Sequence, residues 1–166
     1  MSLPDTISGY TLTADEGEAI WFNGALGLVK ATAAQTQGRF ASIEFRAPAG
    51  FGSPLHRHSD DDEFFVVLDG EVRFQLGDRV IDGETGILVY GPRSVPHAFM
   101  VDSQEARLLL LFGPAGVEGF FRRAGKPAPS ISLPPADEQF LSRDELKSIA
   151  GEYGQEFLGP PLQPKS

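Results

Sequence analysis

The stretch Gly50–Gly70, GFGSPLHRHSDDDEFFVVLDG, places two of the chain's three histidines beside a glutamate. Residues two apart in a strand share a face, so His56 and His58 can point together into the interior of a barrel. Glu63 has the wrong parity for the same straight strand. The intervening run SDDD favours a turn, after which Glu63 can begin the next strand facing back inside.

The third histidine follows a second spaced pattern, Gly86-x5-Pro92-x5-His97. Imidazole nitrogens and carboxylate oxygens are the usual ligands of divalent transition metals. The two patterns together predict one metal site with three nitrogens and one oxygen, formed by His56, His58, Glu63 and His97. An ion that prefers five or six ligands would keep positions open for water, O2 or substrate. The spacing does not choose between Ni, Fe, Mn, Co, Cu and Zn.

Composition limits the possible classes of protein. The chain has 166 residues, 41% hydrophobic, with a net charge of -9 and no cysteine. An acidic chain without a basic cluster is not expected to bind nucleic acid or an anionic membrane. The start of the chain lacks the charged and apolar regions of a signal peptide, and the longest apolar run, Leu108–Phe112, is too short to cross a bilayer. We therefore expect a soluble, cytoplasmic protein.

The first 113 residues read as short strands separated by turns, which predicts an all-β barrel. Asp69-Gly70, Gly77-Asp78 and Asp82-Gly83 are expected to be turns, the first of them a two-residue hairpin. The run Leu108–Phe112 is apolar on both faces, so a helix or a second subunit should cover its outer side. Other predicted strands are Tyr10–Thr13, Ala19–Phe22, Leu28–Thr32, Phe40–Phe45, Glu63–Leu68, Glu71–Leu76, Arg79–Ile81, Ile87–Tyr90 and His97–Val101.

The pattern changes to helical after Gly113. A short apolar helix face ends before Gly125, a candidate C-cap. Ser142 and Glu145 have the spacing of a capping box, which predicts a second helix, and the tail from Gly159 is expected to be extended. The sequence thus predicts a barrel over residues 1–113 and a helical extension over 114–166 packed on the same domain.

Apolar residues flank the predicted ligands and are the candidates for a substrate pocket: Phe45, Leu55, Phe65 and Phe99. Such a lining favours an aromatic ligand over a sugar, because a sugar needs many polar partners. Arg57 lies between two ligands in the strand, so it should point away from the ion and form a structural pair.

These motifs resemble the cupin superfamily. The first motif matches that family's pattern completely, and the second matches it at Gly86, Pro92 and His97. Ser94 and Val101 stand where the family has glycine and asparagine, which affects turn geometry and polarity around the site rather than the ligands. The resemblance implies a double-stranded β-helix, the cupin jelly-roll barrel, that holds one metal ion and often forms dimers.

A narrower resemblance covers nearly the whole chain. Its segments are Tyr10-Thr11-Leu12, Pro54-Leu55-His56-Arg57-His58, Asp62-Glu63-Phe64-Phe65, Pro96-His97-Ala98-Phe99, Gly119-Phe120-Phe121 and Leu158-Gly159-Pro160-Pro161. They are similar to bacterial single-cupin quercetinase-like proteins. This resemblance implies a flavonol 2,4-dioxygenase, also called quercetin 2,3-dioxygenase, in which the residue matching Glu63 takes the flavonol hydroxyl proton and O2 opens the heterocycle with release of carbon monoxide. A metal-dependent isomerase or lyase, and a non-catalytic binding protein, remain as alternatives.

Overall fold

Short strands form most of the protein in this computed structural model, which describes Leu3 and residues 9–165. The outer ends of the predicted units 1–113 and 114–166 therefore lie outside the described residues. In chain order the strands are β1 Glu18–Phe22, β2 Ala25–Ala31, β3 Ala41–Pro48, β4 Pro54–His58, β5 Asp62–Asp69, β6 Glu71–Leu76, β7 Arg79–Glu84, β8 Leu88–Gly91, β9 His97–Val101, β10 Glu105–Gly113, β11 Lys126–Pro127 and β12 Gln155–Pro161.

The strands form two antiparallel sheets with the core between them. The first sheet has the order β11-β1-β2-β3-β10-β5-β8, and the second has the order β12-β4-β9-β6-β7. Phe65 of the first sheet packs on Phe74 and Phe99 of the second, with ring centroids 5.3 and 5.8 Å apart. Burying a phenylalanine of this kind stabilises the fold by about 1.5–3 kcal/mol. The predicted all-β, two-sheet architecture is confirmed.

Three short helices complete the described chain: α1 Ala33–Thr36, α2 Glu118–Ala124 and α3 Arg143–Glu152. The capping box predicted for α3 is present, because the Ser142 side chain accepts a hydrogen bond from the backbone N–H of Glu145. The sequence analysis missed α1, a single turn capped by Thr32 in the same manner. Within the described residues no helix has both the length and the apolar character needed to cross a bilayer.

Two of the turn predictions were wrong. Asp69-Gly70 does not close a hairpin: β5 lies in the first sheet and β6 in the second, so the chain crosses between sheets at Gly70, whose φ is 87°. Asp82-Gly83 lies inside β7, where a Cβ on Gly83 would come within 2.8 Å of the Phe74 ring. That glycine permits close packing rather than a turn. The turn predicted at Gly77-Asp78 is present and joins β6 to β7 as a hairpin.

The N-terminal and C-terminal segments of the described chain also differ from the prediction. Tyr10–Thr13 is not a strand; the Tyr10 hydroxyl donates instead to the Lys30 carbonyl at 2.7 Å. At the other end the chain does not stop at helices, because β12 returns to the second sheet and pairs with β4. The residues after 113 therefore supply an edge strand to the sheet that carries the three predicted histidine ligands.

Strand β10 lies inside the first sheet, between β3 and β5, and its side chains are apolar on both faces. Leu108, Leu110 and Phe112 face the core and are buried. Leu109 and Leu111 face outward and pair in register with Val66 and Phe64 of β5, which in turn pair with Leu88 and Tyr90 of β8. We call these six residues the outer apolar face: Phe64, Val66, Leu88, Tyr90, Leu109 and Leu111. Helix α2 packs on β1 and β3 and α3 on β12, while Leu88 and Tyr90 stay 58% and 44% exposed.

Candidate metal centre

Three strands bring the four predicted ligands to one place inside the barrel. His56 and His58 lie on β4, Glu63 begins β5 after the turn, and His97 begins β9 directly opposite His56 in the β4–β9 ladder. The four side chains are buried, and one ligand atom from each lies within 4.8 Å of the others. Glu63 faces the interior, as predicted from the turn before it, and shares the buried face of β5 with Phe65 and Val67.

The carboxylate of Glu63 is the centre of this cluster. Its Oε2 atom lies 2.9 Å from His97 Nε2, 3.1 Å from His58 Nε2 and 4.0 Å from His56 Nε2. A transition metal with bonds of about 2.0–2.2 Å to nitrogen and oxygen would be held between these atoms with little movement of the rings. Three neutral imidazole nitrogens and one carboxylate oxygen are also the donor atoms that a divalent transition metal prefers, so these four residues fit such an ion.

The other ring nitrogens are held by the protein, which orients the histidines. Nδ1 of His56 is 2.9 Å from the Pro54 carbonyl, and Nδ1 of His97 is 2.9 Å from the Val95 carbonyl. Donation from Nδ1 to a carbonyl leaves Nε2 free as the metal-binding atom. His58 differs: its Nδ1 has no hydrogen-bond partner among the described residues, and the buried carboxylate of Asp61 lies 3.6 Å away.

Burial and mutual contact shift the protonation of the metal-free cluster. Burial, followed by the neighbouring His97, lowers the pKa of His56 to about 4. Burial opposes the charged form of His58 as well, but the carboxylates of Asp61 and Glu63 outweigh it and raise the pKa of His58 to about 9. Burial would raise the pKa of Glu63, yet contacts with His58 and His97 lower it to about 2. The pKa of Glu63 and the pKa of His58 thus shift in opposite directions, each toward the charged form of its group.

A cavity of about 270 Å³ opens beside the cluster, and its walls are mainly apolar. Aromatic rings reach the ligands themselves: Phe157 lies 6.4 Å from the His56 ring and Phe112 lies 6.0 Å from the His58 ring, between centroids. The apolar lining is formed by Phe22, Phe45, Phe51, Pro54, Phe99, Leu110, Phe112, Phe120, Phe121, Leu141, Leu146, Phe157 and Pro161.

Two of the four predicted pocket residues line this cavity and two do not. Phe45 and Phe99 are in its wall. Leu55 alternates with His56 along β4 and so faces the opposite side, near Gly159 of β12. Phe65 lies behind the ligands, with its ring 5.9 Å from that of His97, and packs in the core. Arg57 shares the outward face with Leu55 and pairs with Glu156 at 2.7 Å, as its position predicted.

The sequence analysis missed the part of the wall that comes from the C-terminal segment. Leu141, Arg143 and Leu146 flank or belong to α3, and Gln155 and Phe157 lie on β12. Arg143 is the single arginine or lysine among the described lining residues. The sequence contained a partial signal, since Phe157 and Gln155 are two apart, but this short strand has no strong alternation and only its pairing with β4 turns them inward.

Comparison with known proteins agrees with this geometry. Residues 43–112 match the model of the family described as "Cupin domain", a range that contains all four predicted ligands. Over this range the chain is similar to the cupin domain family. A quercetin 2,3-dioxygenase of Bacillus subtilis (strain 168) is 28% identical to this protein over 162 residues, which are 95% of this chain and 47% of that protein. The chain thus spans about half the length of this curated relative.

Solved structures support the fold. An RmlC-like cupin from Shewanella frigidimarina NCIMB 400 is 16% identical, with a TM-score of 0.54 over 64% of this chain and 89% of that one. A predicted oxalate decarboxylase from Thermotoga maritima is 15% identical, with a TM-score of 0.54 over 61% of this chain and 94% of that one. At such identity the likeness establishes a shared cupin jelly roll and leaves the reaction open.

Proposed function

We propose that this cupin is a mononuclear-metal dioxygenase of the quercetinase type, which uses O2 to cleave an aromatic or enolisable small molecule. The observation that carries the proposal is the position of the buried three-histidine, one-glutamate cluster beside a mainly apolar cavity whose wall is rich in phenylalanine. The similarity to a quercetin 2,3-dioxygenase over nearly the whole chain supports it.

The protein's own groups suit this chemistry. His56, His58, Glu63 and His97 would hold a divalent metal, which would supply a Lewis acid for the oxygens of the substrate. Glu63 takes the proton of the substrate hydroxyl, and its buried position keeps that proton away from bulk water. Phe45, Phe99 and Phe112 offer flat apolar surfaces against which an aromatic ring can pack. In the overall reaction both atoms of O2 enter the ring-opened product and one carbon leaves as carbon monoxide.

The direct test combines elemental analysis with turnover. The purified protein is analysed for metal, then stripped and reloaded separately with Ni, Co, Mn, Fe and Cu, and O2 uptake is measured with a panel of flavonols. We expect uptake with at least one metal, together with carbon monoxide in equal amount. Absence of uptake with every metal and flavonol would favour the isomerase, lyase or binding alternatives. Full activity in metal-depleted protein would contradict every hypothesis in which catalysis depends on a metal.

We also propose that the outer apolar face is the interface of a homodimer. Its six residues form two cross-strand rows, Leu111–Phe64–Tyr90 and Leu109–Val66–Leu88, and the Phe64 and Tyr90 rings stack at 4.6 Å. A contiguous exposed apolar patch of this kind marks an interaction site, and an identical patch on a second copy covers it by two-fold symmetry. Sedimentation at micromolar concentration should give twice the 17.9 kDa chain mass.

A cytoplasmic location stays a prediction from the sequence. Fractionation of cells that produce the native gene product would test it.

A further inference from the structure

Gln155 carries a largely buried amide at the wall of the cavity. The residue is only 7% exposed, and its side chain makes no hydrogen bond to another described residue. Its polar atoms are nevertheless not sealed off, because the fully enclosed unpartnered side-chain atoms among the described residues are Arg46 Nε and His58 Nδ1. Buried polar side chains are nearly always hydrogen-bonded to protein or to water. The amide is therefore open to a partner in the cavity.

The surroundings of Gln155 place its amide where it can contact a molecule bound in the cavity. It lines the cavity, and in the β12–β4 ladder it stands directly opposite the predicted ligand His58. Side chains at such paired positions have Cβ atoms about 4.5–5.5 Å apart. Glu156, the next residue, faces outward to Arg57, so the strand turns Gln155 inward.

We propose that Gln155 is a substrate-orienting residue, whose amide hydrogen-bonds a hydroxyl or carbonyl oxygen that the substrate carries in addition to its two metal-binding oxygens. The inference rests on the proposed function and narrows its substrate class to polyoxygenated aromatic molecules. The amide can donate and accept, so it suits a neutral oxygen substituent in either role. Most of the surrounding wall is apolar, so few other groups compete for that oxygen.

Binding of two flavonols to zinc-loaded protein tests the proposal without turnover, because zinc is not redox-active. Quercetin carries several hydroxyls, whereas 3-hydroxyflavone has only the chelating pair besides the ring oxygen. Gln155→Leu should weaken quercetin binding about three- to tenfold and change 3-hydroxyflavone binding by less than about twofold. Gln139→Leu, the same change at an exposed site outside the cavity, should affect neither ligand. An equal loss for both flavonols, or no loss for quercetin, would overturn the inference.

The thermal stability of the ligand-free, zinc-loaded protein provides the second arm. If the amide is reserved for a ligand, leucine removes a group that makes no hydrogen bond to the rest of the protein, and Tm should stay level or rise by up to about 4 °C. A fall in Tm would show that the amide stabilises the fold itself and would also overturn the inference. This arm needs no flavonol. If wild-type protein bound neither flavonol, the quercetinase proposal would fail while the Tm comparison would still decide whether Gln155 is reserved for a ligand.

Discussion

At the scale of single residues, the three histidines present the same ring nitrogen to the cluster but are held by different partners. Backbone carbonyls orient His56 and His97, whereas the side of His58 away from the cluster faces the buried carboxylate of Asp61. A carboxylate behind a ligand histidine makes the ring a stronger base. Metal binding at these residues stays a prediction, and two substitutions test it.

His97→Ala should abolish stoichiometric metal binding. The substitution removes one of three nitrogens and leaves the Glu63 carboxylate without its shortest contact. Arg57→Ala is the matched control, because Arg57 lies on the ligand strand but pairs outward with Glu156. Metal content per chain, measured by elemental analysis after reloading, should be near zero for the first variant and near one for the second. Full metal content in His97→Ala would contradict the site.

Glu63→Gln should reduce turnover far more than metal content. A neutral amide still offers a ligand oxygen but is a negligible base, and general-base catalysis contributes about 10²–10⁴-fold. We therefore expect a loss of kcat of that order with most of the metal retained. Glu156→Gln, an exposed carboxylate on β12, should leave both quantities unchanged. Equal losses of metal and kcat would assign Glu63 a purely structural role.

At the scale of elements, ion pairs fasten the C-terminal tail to the second sheet. Arg73 of β6 donates two hydrogen bonds to Asp102, at 2.6 and 2.7 Å, and a third to the Gln163 carbonyl. Lys165 reaches the same Asp102 carboxylate at 3.2 Å. The tail that follows β12 is thus tied down close to the strand that forms part of the cavity wall.

This cluster makes stability depend on pH. The hydrogen bond from Arg73, then the contact with Lys165, lowers the pKa of Asp102 below its usual value of 3.8. A carboxyl group whose pKa is lowered in the folded protein stabilises the fold at pH values above its unfolded-state pKa. This contribution is lost as the pH falls through the folded-state pKa. Asp102→Asn should therefore reduce the free energy of unfolding by about 1–3 kcal/mol at pH 7, with a smaller difference near pH 3.

Urea unfolding at the two pH values measures this difference. Asp82→Asn serves as the control, because Asp82 is exposed and contacts Lys165 without Arg73. It should change stability by less than about 0.5 kcal/mol. A difference for Asp102→Asn that is the same at pH 3 and pH 7 would mean that charge is not the cause.

At the scale of the whole molecule, the two faces of the first sheet have different roles. The inner face builds the core and the wall of the cavity, and the outer apolar face lies between the exposed edge strand β8 and the centre of the sheet. The helices of the described residues make their main strand contacts at other places, on β1, β2, β3, β11 and β12. For this reason we propose a second copy of the chain as the partner of the outer apolar face.

Lysine on the outer apolar face should break the proposed dimer. Leu88→Lys combined with Tyr90→Lys places two like charges on each copy's interface while changing only exposed positions. Sedimentation should then give the mass of one 17.9 kDa chain, with metal content retained. Val80→Lys, which is equally exposed but lies on β7 of the other sheet, should stay dimeric. A wild-type monomer, or a dimer unaffected by the double substitution, would exclude this interface.

The sequence by itself determined the features that depend on local spacing. Alternation along a strand fixes which side chains share a face, so it predicted that His56 and His58 point inward and Arg57 outward. The turn-forming run after His58 predicted that Glu63 starts the next strand facing inward. The combined spacing of glycines, prolines and histidines indicated the two-sheet fold and brought His97 into the predicted site. The Ser142 cap could be predicted because a capping box involves only one turn of chain.

The tertiary structure decided which strands are partners. The spacing of residues along a strand predicts which way each side chain points, but it does not predict which strand lies alongside. Asp69-Gly70 was therefore wrongly predicted to form a hairpin, although it connects two sheets. For the same reason Leu55, an apolar residue beside a ligand, lies outside the cavity, while Gln155 reaches it from almost a hundred residues further along the chain. Only the pairing of β12 with β4 brings that amide beside His58, because long-range contacts depend on how whole sheets pack rather than on any local pattern.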